Sequence, residues 1–213
     1  MSELLAVCTV ASLHPDAGSV GVTAIDKQPV AGRVKVLELG LYGDVQADRY
    51  DHGGADQALY AFAEEQAAHW AAELGRDILP GSFGENLRTA GLDVDGAEIG
   101  ERWRIGEKVV VEVTSPRVPC MTFARWMGED RWVRRFSDHG HPGSYLRVVE
   151  RGDVGAGDPI EVVHRPGHGV SVGGWFRDAT PDGARALLDS HAASALVLSD
   201  DMVDMAGVVA SRA

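Results

Sequence analysis

Cysteine is almost missing from this chain: its 213 residues hold two, Cys8 and Cys120. Two thiols cannot build a disulfide framework, a four-thiolate zinc site or a conventional iron–sulfur cluster, and such scarcity fits a reducing compartment. Basic residues are also short, with 20 Lys and Arg against 32 Asp and Glu, for a formal net charge of -12. A chain this acidic is repelled by phosphate backbones and anionic membrane surfaces. Nucleic acid and membranes are therefore not expected as partners, while a small anionic ligand is allowed wherever a few arginines gather. No apolar run reaches the roughly 18 residues that a membrane-crossing helix needs. Leu5-Ala6-Val7-Cys8 has the outline of a lipoprotein cleavage box, but no basic segment precedes it and it reads better as a first strand. Together these absences predict a soluble, cytoplasmic protein. Familiar catalytic signatures are missing as well. Gly152-Asp153-Val154-Gly155-Ala156-Gly157 has the wrong glycine order for a dinucleotide loop, and there is no P-loop, His-Glu-x-x-His or nucleophile-elbow serine. Internal repeats and low-complexity tracts are absent too.

What the chain does have is glycine, 26 residues of it, in a sequence that is 45% hydrophobic with a mean hydropathy of -0.10. These are globular values, with many tight turns between short strands. A single core stops growing at roughly 250–300 residues, so this length allows one main domain with a small appendage. Leu4 to Ala11, Val34 to Leu39, Leu59 to Phe62, Trp103 to Ile105, Lys108 to Thr114, Ser144 to Val149 and Pro159 to Val163 read as strands. The stretch between the first two, rich in Gly, Pro, Asp and Ser, reads as a loop. An Ala- and Glu-rich helix is predicted from Glu64 to Leu74, ended by Gly75. The expected fold is mainly β with inserted helices (α+β), barrel-like over residues 1–165. A small helical extension follows over 166–213, opened by Thr180-Pro181 and Ser199-Asp200-Asp201 as helix starts.

The chemistry centres on Pro116-Arg117-Val118-Pro119-Cys120. Two prolines stop the β-rich run Val109 to Val113 from continuing, because neither can donate to a sheet ladder. From Met121 the residues Phe123, Trp126, Met127, Val133 and Phe136 recur at near-helical spacing, which puts Cys120 at a helix start. There, unpaired N–H groups and the helix dipole favour thiolate over thiol, as does Arg117 if its side chain turns inward. The plainer alternative is a small buried hydrophobe. Two further segments are dense in polar groups: Gly43 to Ala58, with Asp48, Arg49 and His52, and Pro80 to Leu87, with Asn86. Asp48 and His52 are metal-ligand types, but too few partners lie nearby for a closed site; hydrogen bonding to a heterocycle suits them better. Arg49, Arg117 and Arg147 are able to clamp an anion or to serve as ordinary ion-pair partners. His164, His168 and His191 read as solvated residues, and Trp126 and Trp132 as core.

Gly43-Asp44 to Asp48, His52-Gly53-Gly54, Ser82-Phe83-Gly84-Glu85-Asn86, Pro116 to Cys120 and Gly143-Ser144-Tyr145-Leu146-Arg147-Val148 occur in the order and approximate spacing of the MOSC domain, named for the molybdenum cofactor sulfurase C-terminal region. The resemblance runs from about Leu4 to His164 and is greatest to stand-alone bacterial members with a helical tail. It implies a MOSC β-barrel holding a pterin-based molybdenum cofactor, with Cys120 as metal ligand and catalytic residue. It further implies cofactor-binding roles for Asp48, Arg49, His52, Gly53, Gly54, Phe83, Glu85, Asn86, Ser115, Arg117 and Arg147. At family level it also brings an association with pyridoxal phosphate. Related members reduce N-hydroxylated bases and similar N–O compounds. With no iron–sulfur, flavin or nicotinamide motif of its own, the chain is expected to take electrons from a separate reductase. The oligomeric state is open. Two alternatives accompany this expectation: a cofactor carrier without turnover, and a Cys120-based sulfur carrier.

Overall fold

A computed structural model of the chain describes residues 1–48 and 53–212. Arg49 and His52 lie outside the described residues. The elements run in the order β1 (Glu3–Pro15), β2 (Val22–Pro29), β3 (Val34–Leu37), β4 (Gly40–Leu41), β5 (Leu59–Ala63), α1 (Glu64–Leu74), β6 (Leu87–Ala90), β7 (Arg102–Ile105) and β8 (Val109–Pro116). They continue with α2 (Met121–Met127), α3 (Trp132–His139), β9 (Ser144–Glu150), β10 (Gly152–Val154), β11 (Ile160–His164), α4 (Val172–Arg177), α5 (Pro181–Ala192) and α6 (Asp200–Ala210).

Eight strands form one sheet in the order β11-β7-β8-β9-β5-β6-β1-β2, and β10-β3-β4 form a second. All the ladders are antiparallel except β5 with β6. The α+β class therefore holds, but a closed barrel does not form among the described residues. The large sheet is open, and its curvature brings the start of β1 to the start of β11 through one isolated bridge, Glu3 with Pro159. Backbone bonds from Leu4 N to Asp158 O and from Ile160 N to Ser2 O, each 2.9 Å, support that bridge. The ladder stops there because β1 turns away to pair with β2 from Cys8 onward. The expected loop after Ala11 is likewise corrected. β1 continues to Pro15, and Val22 to Pro29 returns beside it as a hairpin whose register is broken by bulges, which hides the period-2 pattern in the sequence.

Strand β5 explains how the interior divides. All its residues are buried, and because side chains alternate across a strand, Leu59, Ala61 and Ala63 enter one apolar cluster while Tyr60 and Phe62 enter another. The first cluster also takes Val109, Val111 and Val113 of β8 and, from the C-terminal helices, Val172, Trp175, Leu187, Met202 and Val209. The tail thus packs into the same core as the sheet. α4 had no signal in the sequence, since a helix as short as Val172–Arg177 spans less than two turns.

The second cluster is aromatic. Phe136 lies against Phe123, Trp132, Trp70, Phe83 and Phe62, with ring centroids 5.1 to 6.4 Å apart. The near-helical run after Cys120 is split into α2 and α3 at Gly128, whose left-handed φ of 67° lets its N–H bond back to Ala124 O. At the edge of this cluster His139 stacks on His69 with centroids 4.1 Å apart, sits 4.9 Å from His141, and hydrogen-bonds Gln66 Oε1 through Nε2 at 2.8 Å. Burial first, then the charges of His69 and His141, push the His139 pKa down to about 4 from 6.5. The unfolded chain therefore binds a proton that the folded chain refuses, and stability falls as pH drops from 6.5 towards 4, by about 1–3 kcal/mol. Urea unfolding across that range is expected to show the loss, and His139→Gln should flatten the profile.

Candidate functional site

The loop from Gly81 to Asn86 is held from inside. Glu85 is fully buried, and its carboxylate accepts from Gly81 N at 2.7 Å, Phe83 N at 3.0 Å and Arg88 Nε at 2.9 Å. Arg88, also fully buried, further binds Glu64 at 2.8 Å and the carbonyls of Ile78 and Leu79. Gly81 has φ of 91°, and a Cβ there would fall 2.2 Å from Lys27 O. Only glycine lets this loop lie directly on β2. Asn86 is fixed in turn: its Oδ1 accepts from Tyr60 N at 3.2 Å, and its Nδ2 donates to Cys8 O at 3.2 Å and Asp44 Oδ2 at 2.8 Å. Asp44 also accepts from Val10 N at 2.8 Å and pairs with Lys27.

Between β2, the segment 44–48, β5, this loop and α2 lies a cavity of about 340 Å3, within the roughly 300–1,000 Å3 of small-molecule pockets. Cys120 lines it from the cap position of α2, with extended backbone (φ -116°, ψ 173°), and Ala124 N donates to its carbonyl at 3.0 Å. The predicted helix start is in place. The thiol is half-buried and packs against the aromatic cluster. Cys8 contrasts with it: burial first, and Glu85 second, push that thiol up to about 12, so it stays protonated and inert.

Arg117 is 6% exposed, and its guanidinium lies 3.8 Å from the Phe123 ring centroid. It lines the cavity, yet its buried Nη1 has no hydrogen-bond partner among the described residues. Burial pushes the Tyr145 phenol pKa up, with Arg117 pulling the other way. Across the cavity lining, Lys27 is paired with Asp44 and Arg125 with Asp16. Gln57 Oε1, also on the lining, is a buried acceptor with no partner among the described residues. Buried polar atoms left in this state are costly and uncommon, and here both belong to residues that line one cavity.

Of the residues singled out from sequence, Asp48, Phe83, Asn86, Arg117 and Cys120 are brought together on this lining. Glu85 stands behind it, shaping the loop. Gly53 and Gly54 are not on it; they lead into the 3-10 turn Ala55–Gln57, whose last residue does line it, and Gly54 N bonds Gln46 Oε1 at 3.1 Å. Ser115 sits in the β8–β9 ladder opposite Tyr145. Arg147 points elsewhere: it binds Asp56 through Nε at 2.7 Å, Glu112 at 2.8 Å and Val197 O at 3.3 Å. Sequence reasoning missed Lys27, Tyr60, Tyr145, Asp16 and Arg125 as lining residues. Tyr145 lay inside a quoted motif and was findable, whereas the others carry no local signature. Among the described residues no group of three or more His, Cys, Asp or Glu is arranged to hold a metal ion, so any metal here relies on the single thiolate and on ligands brought with it. The lining residues fit an anionic group carrying a soft metal: a thiol of the right softness stands on the same lining as a buried cationic donor without a partner.

A mixed α+β fold that sets one half-buried thiol and one buried guanidinium into a small-molecule cavity defines the class of protein. The chain belongs to the MOSC domain family, whose model matches residues 48–161. It is 37% identical to the uncharacterized protein YflK of Bacillus subtilis over 150 residues, 70% of this chain and 67% of that one. Protein YiiM of Escherichia coli is 34% identical over 146 residues, 67% and 65% of the two chains. A protein of Gibberella moniliformis named reductase is 31% identical over 147 residues, 68% of this chain and 26% of that longer one. The fold superposes on the crystal structure of YiiM from Geobacillus stearothermophilus with a TM-score of 0.75 at 25% identity, covering 98% of each chain. Membership of the family supports a function connected with the molybdenum cofactor. No helix among the described residues is long and apolar enough to cross a membrane.

Proposed function

We propose that the chain binds a pterin-based molybdenum cofactor in this cavity and reduces N-hydroxylated compounds, such as N-hydroxylated bases, with electrons from a separate reductase. The observation that carries the reading is the pairing of Cys120 with the unpartnered Nη1 of Arg117 on one lining. Cys120 would supply the thiolate to the metal, Arg117 would bind an anionic group of the cofactor, and Asn86 and Asp48 would hydrogen-bond the heterocycle. When bound, the cofactor supplies two-electron removal of oxygen from the N–O bond. For a hydroxylamine that consumes two protons and two electrons and yields the amine and water. Phe83, with the aromatic cluster behind it, closes the inner wall and keeps water from it. Lys27, which also lines the cavity, is the side chain placed to pass a proton to the departing oxygen.

Molybdenum analysis of protein made in a cofactor-producing host tests the reading. Wild type is expected to retain the metal and Cys120→Ser to lose most of it; equal content in both removes Cys120 from its role. Stoichiometric metal without reduction of a hydroxylaminopurine by any donor would mark a carrier instead. A persulfide at Cys120 in metal-free protein would mark the sulfur carrier.

A further inference from the structure

We propose that the Asp16–Arg125 pair is a latch that holds the β1–β2 hairpin tip against α2 and so sets how large a molecule reaches Cys120. The proposal rests on the cofactor reading only for the identity of what passes.

The geometry starts from the tip. Gly18, Ser19 and Val20 are solvent-exposed yet line the same cavity as Cys120, Met121 and Thr122, which places the tip at the cavity rim. Within the tip, Asp16 N donates to Gly21 O and Gly21 N to Gly18 O, each at 3.1 Å, so the turn moves as a unit. Asp16 ties this unit to α2. Its carboxylate takes both Arg125 Nε at 2.8 Å and Arg125 Nη2 at 2.6 Å, with Thr122 Oγ1 donating at 2.9 Å and Gly18 N at 2.9 Å. A two-pronged guanidinium–carboxylate contact fixes direction as well as distance. Below the tip, the hairpin stem is anchored separately: the His14 ring lies 5.6 Å from Trp126 and its Nε2 is 2.8 Å from Asp26. The stem is therefore fixed, and the latch governs the tip.

Electrostatics keep the latch engaged. Hydrogen bonding from Arg125 holds the Asp16 carboxyl far below the usual range, so the pair stays ionised through neutral and mildly acid conditions. Arg125 also feels the Cys120 thiol, which puts the latch within electrostatic reach of the residue it screens. β1 and β2 precede residues 48–161, the span that the family model matches, so Asp16 lies before that span while Arg125 and Thr122 lie within it.

The test uses the full chain without cofactor. Cys120 is alkylated with N-ethylmaleimide and, separately, with a polyethylene-glycol maleimide, and the rates are read by peptide mass mapping. Both reagents are attacked by the thiolate, so the bulky-to-small rate ratio cancels any change in thiolate fraction. Buried Cys8 is the unreactive internal control. Asp16→Asn and Arg125→Met are each expected to raise the ratio about two- to fivefold, the scale of losing one partly exposed ion pair. The double variant should rise no further, because the two side chains act as one unit. A ratio unchanged in either single variant, or a double variant higher than both, overturns the latch. The assay needs no metal, so its failure and a failed molybdenum analysis are separate outcomes.

Discussion

Glu85→Ala is expected to destabilise the protein by about 3–5 kcal/mol, the cost of leaving a buried charge without its partner. The substitution strands Arg88, which is fully buried beside it, and removes the acceptor used by the N–H groups of Gly81 and Phe83. Glu64 remains on Arg88 at 2.8 Å but is 43% exposed, so it compensates only in part. Removing both charges tells a pairing effect from a packing effect. Glu85→Ala with Arg88→Met should be less destabilised than Glu85→Ala alone in urea unfolding, whereas a double variant that is worse would show that Arg88 acts by packing. The loop this pair supports carries Phe83, Gly84 and Asn86 on the cavity lining. The charge pair thus links core stability to the candidate site.

Phe136→Ala is the second large effect, again about 3–5 kcal/mol for a fully buried aromatic ring replaced by a methyl group. Phe136 does not line the cavity, but it backs Phe123 and Phe83, with centroids 5.1 and 6.1 Å away. Phe123 in turn carries the guanidinium of Arg117 on its face. A void behind these rings loosens the wall on which Arg117 is held. Phe136→Leu, which fills most of the void, should recover the larger part of the loss. Chemical denaturation of the three proteins side by side measures it, and an alanine variant as stable as wild type would mean that the cluster collapses without cost.

How much was legible in the sequence differs by element. α1 ends where its apolar and capping pattern ends, and Cys120 caps α2 as the prolines and the following apolar spacing require, because both signals are local in the chain. β2, β6 and β10 were not legible. β2 is bulged against β1, while β6 and β10 are short strands of Leu87–Ala90 and Gly152–Val154, too brief for a period to show. The barrel expectation came from the run of short strands and from the family resemblance. Closure depends on whether the outer strands meet along their length, and β1 leaves after one bridge to pair with β2.

For the candidate site, the sequence by itself determined which motifs would supply a thiol, a cation and a glycine-bearing loop. Only the tertiary structure decided which side chains reach the cavity. It drew Arg147 away to Asp56, 91 residues distant in sequence, and brought Asp16 to Arg125 across 109 and Lys27 to Asp44 across 17. The physical reason is that a charged side chain settles on the strongest partner within its reach. Reach between residues far apart in sequence is set by strand order and packing, which leave no local signature.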